Sequence, residues 1–151
     1  EKNLRHGYGV LTHPNGEVYE GEFDGGVIGG VGVITSPNGD VYEGQFRKGR
    51  PHGIGCFRRK NGDKHMGHVR CGEAHGVGVL ALGNGEKYKG DFVGDLRCGR
   101  GACHYPNGAR YAGQWNRDMP HGFGVLVAAG GAGRERYVGR WRCGEKHGYG
   151  R

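Results

Sequence analysis

The chain has 151 residues, of which 36 are glycine and only 34% are hydrophobic, and its formal net charge is +7. Glycine buries no side chain and loses much backbone entropy on folding, so this composition excludes a large closed core. Residues 1–46 carry a net charge of −5 and residues 47–151 one of +12. The basic part is expected to attract either anionic partners or the acidic part of a second molecule.

The first complete unit begins with an alternating segment, Tyr-Glu-Gly-Glu-Phe, at residues 19–23. Tyr19, Gly21 and Phe23 are spaced by two, so they share one face of a predicted strand, and the two glutamates between them share the other. The glutamates therefore look like a solvated strand face rather than a catalytic pair. Because a thin open sheet also offers no pocket, no enzymatic activity is expected.

A predicted turn at residues 24–28 leads into a second strand through Val31 and Val33. We expect these valines to join the aromatic rings, since the few apolar side chains must cover each other. Asn38-Gly39 then supplies the positive φ angles of a tight hairpin turn into the next unit.

This unit recurs along the whole chain. Its starts lie 23 residues apart, except that the last follows after 26, and they are Tyr19, Tyr42, His65, Tyr88, Tyr111 and Tyr137. The three extra residues fall within 128–133, where a longer loop is expected. A second signature, His-Gly-x-Gly or a variant, begins at positions 6, 29, 52, 75, 98, 121 and 147, and Asn-Gly occurs at 15, 38, 61, 84 and 107.

The pattern predicts an all-β fold, an elongated single-layer antiparallel meander of stacked 23-residue hairpins in which neighbours cover each other. The predicted boundaries are a half repeat at 1–18 and repeats at 19–41, 42–64, 65–87, 88–110, 111–136 and 137–151. The leading half repeat leads us to expect further repeats before Glu1. The pattern leaves open whether the His-Gly-x-Gly glycines lie under the rings or on the outer face.

The combination of Tyr-x-Gly-x-Phe/Trp, His-Gly-x-Gly and Asn-Gly resembles the MORN repeat family along the entire chain. Departures are local: His65 and Val69 replace aromatic residues, and Gly29 and Cys98 replace the histidine. The resemblance implies a non-enzymatic scaffold that self-associates and organises cytoskeletal or membrane-associated assemblies. It also implies cytoskeletal protein partners and a cytoplasmic location, on the cytoskeleton or at the inner face of a membrane. Because the chain consists almost only of repeats, it resembles in particular the MORN-repeat scaffold proteins of protozoan parasites.

Cysteine and histidine residues raise a metal hypothesis. The five cysteines are odd in number and unclustered, which favours a reduced compartment. Two Cys–His pairs, Cys71 with His75 and Cys143 with His147, each span one turn and supply half of a tetrahedral zinc site, which a two-fold dimer would complete. Cys98, Cys103 and His104 form a third predicted cluster. The alternative is that the repeated histidine positions the turn by hydrogen bonding. The candidate ligands are Cys71, His75, Cys98, Cys103, His104, Cys143 and His147.

Basic residues concentrate in the two turn regions of the second unit. They are Arg47, Lys48, Arg50, Arg58, Arg59 and Lys60. They indicate either a solvated surface or a peripheral site for anionic phosphoinositide lipids. Nucleic acid is not expected, because the aromatic side chains needed for base stacking are committed to the repeat.

An open meander has unpaired edge strands, and such an edge can pair with another chain. We therefore expect an antiparallel tail-to-tail homodimer about a two-fold axis. Its predicted interface consists of Tyr137, Trp141, Cys143, His147, Tyr149 and Arg151. A rival hypothesis is an aromatic groove that receives a partner peptide or helix.

Overall fold

The computed structural model describes residues 4–130 and 135–151, and their regular secondary structure consists of thirteen β-strands. The strands follow chain order in an open antiparallel meander, which confirms the predicted fold class. Their bounds are β1 (Gly7–Thr12), β2 (Val18–Asp24), β3 (Val27–Thr35), β4 (Val41–Arg47), β5 (Arg50–Arg58), β6 (Lys64–Arg70), β7 (Glu73–Ala81), β8 (Lys87–Val93), β9 (Leu96–His104), β10 (Arg110–Asn116), β11 (Met119–Val127), β12 (Arg136–Arg142) and β13 (Glu145–Gly150).

The chain divides into two compact units, Glu1–Glu73 and Ala74–Arg151. We call them unit 1 and unit 2. Each has its own buried cluster of aromatic and aliphatic side chains, centred on Tyr19 and Tyr42 in unit 1 and on Tyr88 and Tyr111 in unit 2. Among the described residues, no helix is long and apolar enough to span a bilayer.

A two-residue turn connects the strands inside each hairpin. Between β4 and β5, Arg47 pairs with Arg50, while Lys48 and Gly49 have φ angles of 49° and 78°. Two positive φ angles in sequence match the right-handed twist of the flanking strands. The N–H of Gly49 also donates to the carbonyl of Ile28 at 2.9 Å, so each hairpin turn is tied to the previous one.

The Asn-Gly turn is built differently from the prediction. Gly39 has a φ of 93° and donates its N–H to the Ser36 carbonyl at 2.9 Å, but Asn38 is not among the positive-φ residues of the described chain. The expectation of positive φ at both positions is therefore wrong. The Asn38 side chain instead accepts the N–H of Asp40 at 2.9 Å, which holds a longer loop without left-handed strain at asparagine.

The longer loop before the last repeat is only partly described. Ala128 donates its N–H to the Glu135 carbonyl at 2.9 Å between β11 and β12. Half of the predicted insertion at 128–133, residues 131–133, lies outside the described residues.

Tyrosine rings lie directly over paired glycines. Gly21 of β2 faces Gly32 of β3, and a Cβ placed on Gly32 would lie 2.5 Å from the Tyr19 ring carbon Cε2. The Tyr19 hydroxyl reaches past them to donate to the Glu22 carbonyl at 2.8 Å. The second glycine of His-Gly-x-Gly therefore lies under a ring, whereas the first, Gly30 in this repeat, lies against the Glu22 side chain.

The valines on either side of Gly32 therefore point to the face opposite to the rings. Because side chains alternate along a strand, Val31 and Val33 lie on the face opposite to Tyr19, and Val31 is 55% exposed. The prediction that they join the rings is wrong. Ile28 and Ile34 of β3 take that place, packed into the unit 1 cluster.

The rings interlock from repeat to repeat. Tyr19 makes T-shaped contacts with Phe23 of its own strand and with Phe46 of the next repeat, at centroid distances of 5.3 and 5.1 Å. In the third repeat, His65 and Val69 occupy the two ring positions and are buried as the rings are elsewhere. The ring face is thus fully used by the fold, and the opposite face is left to solvent.

Candidate functional site

In each of the two units, exposed apolar side chains lie on the face opposite to the rings. They are the variable residues of the His-Gly-x-Gly signatures, with the exception of Arg100. The members, which we call the stripe, are Tyr8, Val31 and Ile54 in unit 1 and Val77, Phe123 and Tyr149 in unit 2. They are between 54% and 98% exposed. Regular recurrence of large exposed apolar groups marks an interaction surface rather than scattered surface residues.

A hydrogen bond from the preceding strand fixes the backbone of the stripe. The N–H of Val31 donates to the Glu22 carboxylate at 2.7 Å, and the same bond recurs from Ile54 to Gln45 at 2.8 Å. In unit 2, Phe123 donates to the Gln114 side chain at 2.6 Å. These bonds satisfy N–H groups at the bulge in each hairpin and hold the apolar side chain outward.

In unit 2 the stripe lines an open groove of about 680 Å³. Its apolar lining comes from Val77 and Phe123 with Ala102 and Ala112, and its polar lining includes Lys89 and Arg100. A second recess of about 400 Å³ shares Phe123 and extends past Arg140 to His147. Mainly apolar walls with a few charged groups are typical of a binding groove.

The charges beside the stripe differ between the units. In unit 1, Glu20 and Glu43 pair with Val33, two residues after the stripe residue Val31. At the corresponding place in unit 2, Lys89 pairs with Val79. Arg100 takes the stripe position in the fourth repeat. Among the described residues, neither Lys89 nor Arg100 forms an ion pair, so both cations are available to a ligand.

The candidate metal ligands are not brought together within one chain. In residues 4–130 and 135–151, no three His, Cys, Asp or Glu side chains are placed to hold a metal ion. The predicted cluster of Cys98, Cys103 and His104 is wrong, because Cys103 is buried on the ring face while the other two point to the opposite face. Burial raises the pKa of the Cys103 thiol to about 12, so it stays protonated.

The remaining candidate ligands flank hairpin turns. Cys71 and Cys143 are exposed turn residues with φ angles of 49°, and His75 and His147 follow in β7 and β13. The Nδ1 of His121 accepts the N–H of Cys143 at 3.4 Å. His6 accepts the N–H of Gly25 at 3.3 Å in the same way. These bonds support the turn-positioning role for the repeated histidine.

The basic residues of the second repeat, at 42–64 in unit 1, do not form one patch. Arg47, Lys48 and Arg50 surround the turn that precedes β5, whereas Arg58, Arg59 and Lys60 follow its other end. A nine-residue strand separates them by roughly 25–30 Å. Arg58 also lies 3.6 Å from Glu43 and Arg59 3.9 Å from Asp40, which partly neutralises the second group.

The predicted dimer residues fall on both faces of the last hairpin. Trp141 is buried on the ring face, and Tyr137 is half-buried there with Lys146 over its ring at 4.9 Å. Tyr149, at 98% exposed, and His147 lie on the stripe face, and β13 is exposed along its whole length. Cys143 lies in the turn, and Arg151 follows the strand.

Sequence reasoning missed two features. The stripe follows from Gly-x-Gly only once the second glycine is known to lie under a ring, because adjacent residues of a strand point to opposite faces. The second is a partly buried ion network, in which Arg97 contacts Glu86 at 2.6 Å and Asp118 at 2.7 Å and lies 4.6 Å from the Trp115 ring centroid. No local pattern signals it, because its members come from three turns.

Comparison with known proteins agrees with this geometry. The family model described as "MORN repeat" matches residues 1–18, 19–41, 42–64, 65–87, 88–110, 111–132 and 137–151. No curated protein sequence matches the chain. A similar solved structure is the SAS-4 (dCPAP) TCP domain in complex with a proline-rich motif of Ana2 (dSTIL) of Drosophila melanogaster. The likeness covers 89% of this chain and 73% of that one at 16% identity, with a TM-score of 0.54, and it shows a shared fold.

Proposed function

Because the chain belongs to the MORN repeat family, we propose that it is a non-enzymatic protein-interaction scaffold whose stripe is the binding surface. The observation that carries the proposal is the set of large apolar side chains left exposed at one position in successive repeats. Such a set gives a partner several equivalent contacts. The TCP domain of similar fold was solved with a protein segment bound, which supports protein binding by a sheet of this kind.

The test compares affinity capture by the intact chain and by a stripe variant, with quantitative mass spectrometry. Val77→Ser combined with Phe123→Ser removes two stripe contacts. Val93→Ser combined with Leu96→Ser is the matched control, because these residues are also exposed but flank a turn away from the stripe. We expect captured proteins to fall by about tenfold with the stripe variant only, the loss typical of central contacts. Equal capture by all three chains would contradict the proposal.

We also propose self-association of the scaffold through its last hairpin. The support is the exposure of every residue of β13, and of Tyr149 above all. An exposed strand can pair with a second copy. Light scattering should give twice the monomer mass of 16.3 kDa. Tyr149→Glu should give the monomer mass, whereas Tyr8→Glu, at the corresponding position near the other end, should leave the dimer intact. A wild-type monomer at high micromolar concentration would rule this part out.

Zinc at that interface belongs to the same proposal. Cys143 and His147 would each contribute one ligand per copy, and only the dimer would complete the four-ligand set. Elemental analysis should find zinc in the dimer, and Cys143→Ser should remove both the metal and the association. A dimer that contains no zinc would contradict the zinc proposal but not the proposal of self-association.

We propose that the scaffold works in cytoskeletal or membrane-associated assemblies in the cytoplasm. The resemblance to protozoan-parasite scaffold proteins stays a prediction. Phosphoinositide binding through the second repeat is a weaker alternative, since the two basic groups of that repeat lie at opposite ends of β5. Flotation with phosphoinositide vesicles, repeated with Arg58, Arg59 and Lys60 changed to Glu, tests it. Salt-insensitive or charge-insensitive binding would speak against a headgroup site.

A further inference from the structure

We infer that the groove of unit 2 binds an acidic amphipathic α-helix of a partner protein. This inference rests on the proposed function and adds the class of partner and its charge. Two observations carry it: the spacing of the stripe and the sign of the charges along it.

The spacing of the stripe matches a helix better than a strand. Two strands per repeat, each about 4.8 Å apart, place successive stripe residues roughly 10 Å apart. A helix rises about 10.5 Å in seven residues and returns close to the same face after that interval. An extended peptide has no pair of same-face residues near 10 Å, because its same-face side chains recur at about 6.7 and 13 Å. A helix lying along the stripe therefore stays in register over several repeats.

The residues of the groove define what that helix presents. Val77 and Phe123 occupy stripe positions two repeats apart, with Arg100 at the position between them. The partner should thus carry apolar side chains at positions i and i+14 and a carboxylate near i+7. Small side chains at Ala102 and Ala112 leave room for its backbone between these contacts.

Charge complementarity selects an acidic partner. Lys89 and Arg100 line the groove, and Arg140 lines the adjoining recess, whereas no carboxylate lines either of them. Asp91 is the acidic residue of β8 on this face, and its carboxylate already accepts the N–H of Arg100 at 3.1 Å. Opposite charge at such a surface raises association rates and rejects wrong partners.

Unit 1 provides a control of opposite charge on the same fold. Its stripe residues Val31 and Ile54 keep the apolar contacts. Glu20 and Glu43 pair with Val33 from the two strands beside β3, where Lys89 pairs with Val79 in unit 2, so the charge at this position is reversed. An acidic helix should therefore avoid unit 1. The charge difference between the stripes gives the two units different partner preferences.

The test measures binding of designed peptides to the full chain by fluorescence anisotropy. The probe is a peptide of about 21 residues with leucine at i and i+14 and glutamates around i+7, shown to be helical by circular dichroism. One comparison peptide replaces the glutamates with lysine. Another shifts the second leucine by two residues, which turns it to the far side of the helix.

Two charge variants of the chain change net charge equally. Lys89→Glu with Arg100→Glu alters the groove, and Lys48→Glu with Arg50→Glu alters a turn of unit 1. We expect the acidic peptide to bind with micromolar Kd and the groove variant to raise Kd at least about tenfold, the effect of reversing close charge pairs. The turn variant should change Kd less than about twofold, because separated exposed charges are screened. Both comparison peptides should bind at least about tenfold more weakly.

Several results would overturn the inference. The first is that the acidic peptide does not bind at millimolar concentration. The second is that the lysine peptide binds with the same Kd as the acidic peptide. The third is that both charge variants of the chain lose the same affinity for the acidic peptide. Dissociation of a dimer by Lys89→Glu with Arg100→Glu, without peptide binding, would assign the groove to a second copy instead. If the peptide fails while Val77→Ser with Phe123→Ser still abolishes capture of partners, the proposed function stands and this inference falls.

Discussion

Glycines beneath the tyrosine rings determine which face of each hairpin is buried. Gly21 and Gly32 face each other across β2 and β3, and together they make the space that the Tyr19 ring fills. A side chain at either position would compete with that ring for the same volume. Part of the glycine content of the chain is therefore a packing requirement, in addition to the role of glycine in turns.

This requirement predicts a sharp difference between two glycines of β3. Gly32→Ala should lower the free energy of unfolding by about 1–3 kcal/mol, because its Cβ would overlap the Tyr19 ring. Gly29→Ala should change it by less than about 1 kcal/mol, since the nearest atom would be the Asp24 Cβ at 3.8 Å. Urea denaturation followed by circular dichroism measures both. Equal effects would refute the ring-over-glycine account.

Buried tyrosine hydroxyls make stability depend on alkaline pH. Burial raises the pKa of Tyr42 from 10.0 to about 12. The unfolded chain thus releases this proton near pH 10 while the folded chain keeps it to about pH 12, so stability is full below pH 10 and falls as pH rises through that window. Tyr42→Phe should reduce the slope of unfolding free energy against pH above 10, because phenylalanine does not titrate. Urea denaturation from pH 8 to 11.5 checks this, and unchanged slopes would contradict it.

At the scale of strands and turns, Arg97 joins three turn regions of unit 2. Its guanidinium contacts Glu86 before β8 and Asp118 after β10, and lies over the Trp115 ring. Burial opposes the charge, but hydrogen bonds to Asp118 and Glu86 outweigh it and raise the pKa of Arg97. Ile28 and Ala74 fill the equivalent place in the first and third repeats without charge. Arg5 and Lys146 are cations at this place too, and each lies over a ring, of Phe23 and Tyr137 respectively.

Removing the charge of Arg97 should lower the free energy of unfolding. Arg97→Leu leaves two carboxylates without a counter-charge and should lower stability by about 3 kcal/mol. Adding Glu86→Gln should restore part of the loss, because one uncompensated charge is then gone. Arg100→Leu, on the same strand but on the opposite face, should stay within about 0.5 kcal/mol of wild type. A double-mutant cycle by urea denaturation measures the coupling, and an Arg97→Leu chain of wild-type stability would refute it.

At the scale of the whole molecule, each repeat is stabilised by its neighbours along the chain. Trp115 makes ring contacts with Tyr88 and Tyr111 at centroid distances of 5.1 and 5.2 Å, and its indole N–H donates to the Gly101 carbonyl at 3.1 Å. A defect at Trp115 should therefore spread only to adjoining strands.

Hydrogen exchange tests this local character. Trp115→Ala should lower amide protection in β8 to β12 by at least about tenfold, since loss of a buried ring costs about 3–5 kcal/mol locally. Protection of β2 to β4 in unit 1 should remain at the wild-type level, because no contact of Trp115 reaches them. A uniform loss across all strands would indicate a single cooperative unit and contradict the prediction.

The sequence by itself determined the repeat, the fold class and the alternation that places Tyr19 and Phe23 on one face. These follow from local spacing, since a strand has a period of two and a repeated hairpin repeats its contacts. Only the tertiary structure decided which face holds Val31, because pairing across strands puts its neighbour Gly32 under the Tyr19 ring. It likewise separated Cys98 from Cys103 and brought Arg97 to Asp118, since such contacts depend on strand register and on turns that are distant in sequence.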